Sequence, residues 1–309
     1  MSALAALYDS WVAQMAARPD MSIDEIRGLF EQWGDVTTEP DGVEYAPADA
    51  GGIPALWAIP QGAAPGRVLL CFHGGGYALG SPQSHRKLFG HFAAAFGCRA
   101  LVIDYRRAPE HIHPAQVEDA VQAYRWLIDE QGFAPEHVLF VGDSAGGALA
   151  ISAMLKARDS GLPLPAGSIP MAPYLDTEAR GESYVTNGEI DRLGSRDTTL
   201  AFMPVFLGPE GDLHDPLANP LHADVAGLPP MLVQVGGQDV LLDDSKAFCE
   251  KVKAAGGEVS LEIEPTGQHV YQFEAGNSPA ADAAIRRAAA WGRARLGLTQ
   301  DAAADRGRA

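Results

Sequence analysis

Cysteine is scarce in this 309-residue sequence, which contains only three. Cys71, Cys98 and Cys249 are odd in number and widely separated, a pattern that argues against a disulfide framework and lacks metal-ligand spacing. Long apolar runs are missing too, because none approaches the roughly 18 residues of a membrane span. The first basic residue is Arg18, so the cationic start of a secretory signal is absent. These absences predict a cytoplasmic protein with reduced thiols and no stable membrane association.

Basic residues are also few. The chain has 23 Lys and Arg against 40 Asp and Glu, which gives a formal net charge of −17. A balance of this sign opposes binding to nucleic acid or to anionic membranes and mildly disfavours anionic substrates. The acidic residues are spread along the chain without a run of like charge, which is typical of a well-solvated surface. A neutral small molecule is therefore the expected substrate.

Strands and helices are predicted to alternate over most of the chain. Apolar runs that indicate strands lie at residues 68–72, 100–104, 138–141, 168–171, 231–235 and 259–263, after a hairpin at 43–59. Helical patterns between these strands predict a parallel sheet with helices on both faces. Two amphipathic helices within residues 1–40 precede the first strand, and residues 173–220 break the rhythm. We interpret the second region as an insertion.

Ser144 is the first candidate for chemistry. The apolar run at residues 138–141 predicts a buried strand, and a helical pattern begins at Ala145. Gly142 and Gly146 give the GxSxG spacing of a nucleophile elbow, in which side chains would obstruct a tight turn. An ordinary glycine-rich turn can produce the same letters. The strand, turn and helix in succession favour a nucleophile.

A nucleophilic serine needs a histidine base and a carboxylate that orients the base. In this architecture the chain order is serine, acid, histidine. Asp239 follows the strand predicted at residues 231–235, and His269 is the only histidine after it. Asp243 and Asp244 are rival acids, but their position at the start of a helix is better explained by capping. Because the base must be neutral, activity is expected to fall below roughly pH 6.5 unless the pKa of His269 is shifted.

The run His73-Gly74-Gly75-Gly76 follows the strand predicted at residues 68–72. Consecutive glycines let backbone N–H groups approach an oxygen that side chains would block. A flexible loop is the alternative, but together with the downstream elbow the run predicts one side of an oxyanion hole. His111 and His113 could form a metal pair, yet no third ligand accompanies them, so no metal is expected.

Four stretches resemble signatures of the hormone-sensitive-lipase-like esterases, also called bacterial family IV. They are residues 73–76, 104–111, 142–147 and 215–221. The resemblance covers roughly residues 40 to 295 and implies an α/β-hydrolase fold, with a mostly parallel eight-stranded sheet, helices on both faces and a helical cap. It implies a catalytic core at 41–172 and 221–298, cap segments at 1–40 and 173–220, and a disordered tail at 299–309.

By the same resemblance, Ser144, Asp239 and His269 form a catalytic triad, and the N–H groups of Gly75, Gly76 and Ala145 form the oxyanion hole. No cofactor is implied, and a homodimer is plausible. The family often has an aromatic residue at the position of His113, and a methionine near the catalytic histidine where this chain has Thr266-Gly267-Gln268. These departures leave the substrate preference open.

The expected activity is hydrolysis of short- to medium-chain neutral esters through an acyl-enzyme. Hydrolysis of lactones, such as monoterpene-derived ones, is an alternative, because some similar proteins are lactone hydrolases. A more distant alternative is a non-catalytic protein that binds a small molecule, because hormone receptors similar to this family keep the pocket but have lost a triad member. This chain has all three members, which argues against that alternative. Apolar side chains of the cap and its neighbourhood are expected to bind substrate or to be core contacts. They are Trp33, Tyr77, Phe202, Met203 and Phe206.

Overall fold

The computed structural model describes residues 2–298, and the structural statements that follow refer to them. The tail at 299–309, predicted to be disordered, lies outside the described residues. Within residues 2–298, no helix combines the length and apolar character needed to cross a bilayer.

A single sheet organises the described chain, with strand order β1-β2-β4-β3-β5-β6-β7-β8. The strands are β1 Val43–Asp49, β2 Pro54–Pro60, β3 Val68–Phe72, β4 Arg99–Ile103, β5 Val138–Asp143, β6 Gly167–Met171, β7 Met231–Gly236 and β8 Val259–Glu264. The pairings of β1 with β2 and of β2 with β4 are antiparallel, and every other pairing is parallel. The mostly parallel eight-stranded sheet is therefore present as expected.

Helices cover both faces of this sheet. They are α1 Ala3–Ala17, α2 Ile23–Phe30, α3 Trp33–Val36, α4 Pro82–Phe96, α5 Ala115–Arg125, α6 Ala145–Asp159, α7 Ser183–Thr186, α8 Arg196–Leu207, α9 Leu242–Ala254 and α10 Pro279–Arg295. Leu70 and Phe140 belong to one buried hydrophobic cluster, whereas Cys71 and Val141 belong to a second. Successive side chains of a strand point to opposite faces, so the apolar runs of β3 and β5 supply two cores at once.

Capping residues explain where two helices begin. Ser22 and Glu25 form a capping box of α2, with the Glu25 N–H donating to Ser22 Oγ at 3.3 Å and the Ser22 N–H to Glu25 Oε2 at 2.9 Å. Helix α4 starts at Pro82, because Ser81 caps it and proline suits the first helical turn.

The N-terminal helices pack on the body through aromatic rings. The Trp33 ring is stacked on Phe273, with centroids 5.2 Å apart and planes at 4°. It also meets the edge of Trp11, whose ring stacks on Phe30 at 4.5 Å. Phe273 lies in the short 3-10 helix after β8, so these contacts bring α1 to α3 to the edge of the sheet where the parallel strands end.

Candidate active site

Ser144 lies at the turn between β5 and α6 with φ 53° and ψ −120°, an unfavourable conformation for a residue with a side chain. The backbone around it leaves no room at the flanking glycines. A Cβ on Gly142 would lie 2.2 Å from the Gly146 carbonyl oxygen, and one on Gly146 would lie 2.0 Å from the Phe72 carbonyl oxygen. The GxSxG spacing therefore reflects direct contact between β3, β5 and α6.

Asp239 and His269 follow β7 and β8, and both are buried. Their side chains are joined by a hydrogen bond of 2.9 Å between Asp239 Oδ2 and His269 Nδ1. The other carboxylate oxygen of Asp239 accepts from the Leu241 N–H at 2.8 Å. The Tyr8 hydroxyl donates to the carbonyl oxygen of His269 at 3.0 Å. With Nδ1 directed to the carboxylate, Nε2 is the nitrogen left for the cavity that His269 and Ser144 line together.

The electrostatic surroundings of His269 favour its protonated form. Burial lowers the pKa of this imidazole, but its ion pair and hydrogen bond with Asp239 raise it, and the charges of Asp191 and Asp143 add to that effect. The net result is a pKa above the usual 6.5. An imidazole whose pKa is raised in this way accepts a proton readily, as a general base must.

Three backbone N–H groups near Ser144 are free to bind an oxyanion. The N–H groups of Gly75, Gly76 and Ala145 donate to no protein acceptor in residues 2–298. Gly75 has φ 110°, and a Cβ there would lie 2.4 Å from the Leu79 carbonyl oxygen. Only glycine fits this turn, which brings the N–H groups to the cavity that Gly75, Gly76 and Ser144 share.

A buried polar network holds the glycine loop against the elbow. The Gly74 N–H lies 3.2 Å from Asp143 Oδ1 and 3.2 Å from His85 Nε2. His85 also contacts Asp143 Oδ2 at 3.2 Å, and Ser84 Oγ lies 2.8 Å from its Nδ1. His85 is fully buried, packs against Trp33 and Phe273 and is bonded to the elbow. Its place in a helical pattern indicates nothing of its partnership with Asp143.

The chain is similar to known proteins over most of its length. A family model described as an alpha/beta hydrolase fold matches residues 69–273. An acetyl-hydrolase of Streptomyces hygroscopicus is 41% identical over 243 residues, which are 79% of this chain and 79% of that protein. The crystal structure of an esterase from the bacterial hormone-sensitive lipase family superimposes with a TM-score of 0.90 at 39% identity, covering 96% of this chain and 99% of the other.

The chain belongs to the hormone-sensitive-lipase-like family of α/β-hydrolase esterases. The family and the fold expected from the sequence are thereby confirmed. A further crystal structure, of EstE5 soaked with p-nitrophenyl butyrate, matches with a TM-score of 0.85 at 37% identity, covering 90% of this chain and 92% of that one.

A cavity of about 210 Å³ opens above Ser144, and its wall is mostly apolar. Trp33 and Phe202, two of the expected substrate-binding residues, line it. Tyr77, Met203 and Phe206 are buried and are not among its lining residues. The Tyr77 and Phe206 rings stack on each other with centroids 3.9 Å apart. These three side chains are core contacts, the alternative that the sequence left open.

Other lining residues were not identified from the sequence as substrate contacts. They include Met15, Ile26, Tyr174, Leu193, Gly194 and Thr199. Met15 and Ile26 lie on helical apolar faces, where a pocket contact and a core contact give the same pattern. Leu193 and Gly194 lie in a loop whose path depends on tertiary contacts, so no local pattern could indicate their position.

Both departures from the family pattern make specific contacts. His113 Nε2 lies 3.1 Å from Asp215 Oδ2, which links the segment after β4 to the end of the insertion. Burial lowers the pKa of His113, although Asp215 opposes this shift. Gln268 Nε2 donates to the Ile190 carbonyl at 3.0 Å, and its Oε1 accepts from the Arg192 N–H at 2.8 Å. Gln268, the residue before His269, therefore connects residues 190–192 to the loop that carries His269.

Glu178, His214 and His222 are the one group in residues 2–298 whose side chains are arranged as metal ligands could be. Arg180 Nη1 lies 3.0 Å from Glu178 Oε2, and Arg180 Nη2 lies 3.5 Å from His222 Nε2. The guanidinium already supplies positive charge between these groups, so the cluster is satisfied without a cation. None of its members lines the cavity above Ser144.

The close packing of the elbow predicts opposite effects for two Gly-to-Ala substitutions. Gly146→Ala places a methyl group 2.0 Å from a backbone oxygen, and we expect it to lower the free energy of unfolding by about 2 kcal/mol or more. Gly28→Ala is the matched control, because apart from α2's own backbone no atom of residues 2–298 lies within 4 Å of its added Cβ. The control should raise stability by up to about 1 kcal/mol. Urea unfolding measures both, and equal effects would contradict the packing argument.

Proposed function

We propose that this protein is a serine carboxylesterase that cleaves neutral esters of short- to medium-chain acids. The observation that carries the proposal is the cavity at which Ser144, the Asp239–His269 pair and the free N–H groups of Gly75 and Gly76 meet. These are the parts that acyl transfer to a serine requires.

The proposed reaction has two steps. Ser144 Oγ attacks the ester carbonyl carbon while His269 Nε2 takes its proton, and the carbonyl oxygen becomes an oxyanion held by the N–H groups of Gly75, Gly76 and Ala145. The carbon–oxygen bond to the alcohol then breaks, and His269 returns the proton to the departing alkoxide. In the second step a water molecule, deprotonated by His269, attacks the acyl carbon, the bond to Ser144 Oγ breaks, and His269 returns the proton to that oxygen as the acid is released.

The size and polarity of the cavity support the proposed substrate class. A volume of about 210 Å³ is small for a binding pocket and suits a short acyl chain. The ester soaked into EstE5, p-nitrophenyl butyrate, has a four-carbon acyl group. A neutral lactone would undergo the same chemistry and remains the alternative substrate. Relative rates on an acyl-chain series and a lactone panel separate the two.

We further propose that residues 1–40 and 173–220 act as a two-part cap on a body formed by 41–172 and 221–298. Ile26, Phe30 and Trp33 of the first part and Leu193 and Phe202 of the second line the cavity above Ser144. A wall built from both parts supports a role of the cap in choosing the substrate.

Replacement of Ser144 tests the nucleophile. We expect Ser144→Ala to lower kcat on p-nitrophenyl butyrate by about 10⁴-fold or more, because no other group can form the acyl-enzyme. Mass spectrometry after treatment with an organophosphonate should locate the adduct on Ser144. Ser10→Ala, at an exposed position on α1, serves as control and should react normally. An adduct on another serine would refute Ser144 as the nucleophile. A folded wild-type protein that hydrolyses no activated ester would favour a non-catalytic binding protein.

The raised pKa of His269 predicts the pH dependence. Only the neutral imidazole accepts the serine proton, so kcat/KM should rise with pH through the pKa of His269. Because the carboxylates around this residue hold its pKa above 6.5, the midpoint should lie on the alkaline side of that value. A pH profile on an ester without ionisable groups measures the midpoint. A rate that stays flat down to pH 5 would argue against His269 as the base.

Phe202 should limit the length of the acyl chain. Its ring approaches within 3.1 Å of the position of a Cβ on Gly76, next to the proposed oxyanion hole. Phe202→Ala should enlarge the cavity and raise the ratio of kcat/KM for hexanoate over butyrate by up to roughly tenfold, since each buried methylene contributes about 0.8 kcal/mol. Leu200→Ala, on the same helix but outside the cavity wall, is the matched control. An unchanged ratio in Phe202→Ala would exclude this role.

A further inference from the structure

The segment at residues 187–194, which follows α7, contacts the loop that carries Asp239. Asn187 Nδ2 donates to the carbonyl oxygen of Asp239 at 2.8 Å and to that of Gly237 at 3.1 Å. Asp191 Oδ2 accepts from the Val240 N–H at 2.8 Å. The backbone on each side of Asp239 is therefore held by a side chain of the insertion.

The second carboxylate oxygen of Asp191 holds the cavity wall. It accepts from the Leu193 N–H at 2.9 Å and from the Gly194 N–H at 2.8 Å. Leu193, Gly194 and Val240 all line the cavity above Ser144, whereas Asp191 lies behind them and is only 8% exposed. A Cβ on Gly194 would lie 2.7 Å from Val240 Cγ2, so wall and acid loop are in direct contact. One buried carboxylate thus bonds to both.

The same segment reaches the loop that carries His269. Gln268, the residue before His269, exchanges hydrogen bonds with the backbone of Ile190 and Arg192. These two residues flank Asp191. The segment is therefore bonded to the acid loop on one side and to the base loop on the other.

We propose that Asp191 is a positioning residue that fixes the Leu193–Gly194 wall against the Asp239 loop, so that the cavity wall and the Asp239–His269 pair are aligned as one unit. This inference rests on the proposed function. Asp191 touches no substrate, and its role is to transmit the position of the wall to the acid. A displaced wall should therefore change turnover as well as substrate binding.

The charge of Asp191 gives this role a distinctive signature. The charges of Asp239, Asp191 and Asp143 raise the pKa of His269. The Tyr8 hydroxyl donates a hydrogen bond to the carbonyl oxygen of His269. Asp191 itself is influenced by Asp239 and His269, and burial together with the charge of Asp239 raises its pKa. Removal of a negative charge from this group should weaken the stabilisation of protonated His269.

Asp191→Asn tests the proposal, because the amide keeps one acceptor oxygen but loses the charge and the second acceptor. We expect the acid limb of the pH profile to move to lower pH by about half a unit or more, and kcat on p-nitrophenyl butyrate to fall about tenfold. Asp176→Asn is the matched control. Asp176 is another buried aspartate of the insertion, which accepts from the Glu178 and Arg180 N–H groups and pairs with the Arg180 side chain without contacting the acid loop. It should leave the midpoint unchanged.

A measurement without turnover separates this proposal from the proposed function. NMR titration of the His269 imidazole in a Ser144→Ala background should show the same fall in pKa when Asp191→Asn is added. An unchanged His269 pKa and an unchanged kcat in Asp191→Asn would overturn the positioning role even if Ser144 is the nucleophile. Conversely, labelling of a different serine would refute the proposed function while leaving the titration result intact.

Gly194→Ala keeps the proposal testable if Asp191→Asn does not fold. Its added methyl group pushes the wall away from Val240 without removing a charge. We expect kcat to fall severalfold while the pH midpoint stays at the wild-type value. A change confined to KM would mean that the wall only binds substrate. That outcome would also overturn the proposed coupling between the cavity wall and the Asp239–His269 pair.

Discussion

The contact of three backbone segments around Ser144 is the constraint on which the rest of the site depends. The carbonyl oxygen of Phe72, at the end of β3, stands where a side chain on Gly146 would be, and the Gly146 carbonyl stands where one on Gly142 would be. Because nothing separates these segments, the first turn of α6 sits directly on the sheet. The unpaired N–H of Ala145 is thereby brought to the glycine loop that leaves β3. The unfavourable φ of Ser144 persists because the packing on every side of the turn enforces it.

Three separate contacts hold His269, the proposed base, and its loop in place. Asp239 binds its ring, Tyr8 of α1 binds its carbonyl oxygen, and the neighbouring Gln268 is bonded to the insertion. Burial of an imidazole that must become charged is unfavourable, and the carboxylates around it offset this cost in advance of the reaction. Residues 1–40 and 173–220, the proposed cap, therefore contact the loop of His269 as well as line the cavity. The aromatic stack of Trp33 on Phe273 reinforces the same connection.

The parts of the site that follow from strand ends could be predicted from the sequence, and those that depend on loop paths could not. Parallel strands end at one edge of a sheet, so Ser144, Asp239 and His269 were expected there from chain order alone. The expectation for Tyr77 was different, because an aromatic residue next to a glycine loop has the same local pattern whether it faces a cavity or a neighbouring ring. No sequence pattern indicated a role for Asp191, because its three N–H partners lie on two loops that only the folded chain brings together.

The concentration of buried carboxylates around the cavity gives a physical reason for the proposed preference for neutral substrates. Asp239, Asp191 and Asp143 all lie close enough to influence the pKa of His269, and all three are buried. An anionic ester would have to lose its hydration in this negative field, and among residues 2–298 no Lys or Arg side chain lines the cavity to compensate. An uncharged ester would meet a mostly apolar wall, and in the proposed reaction it would acquire negative charge at the oxyanion, where the free N–H groups are. The field that raises the basicity of His269 would thus also select against charge on the substrate.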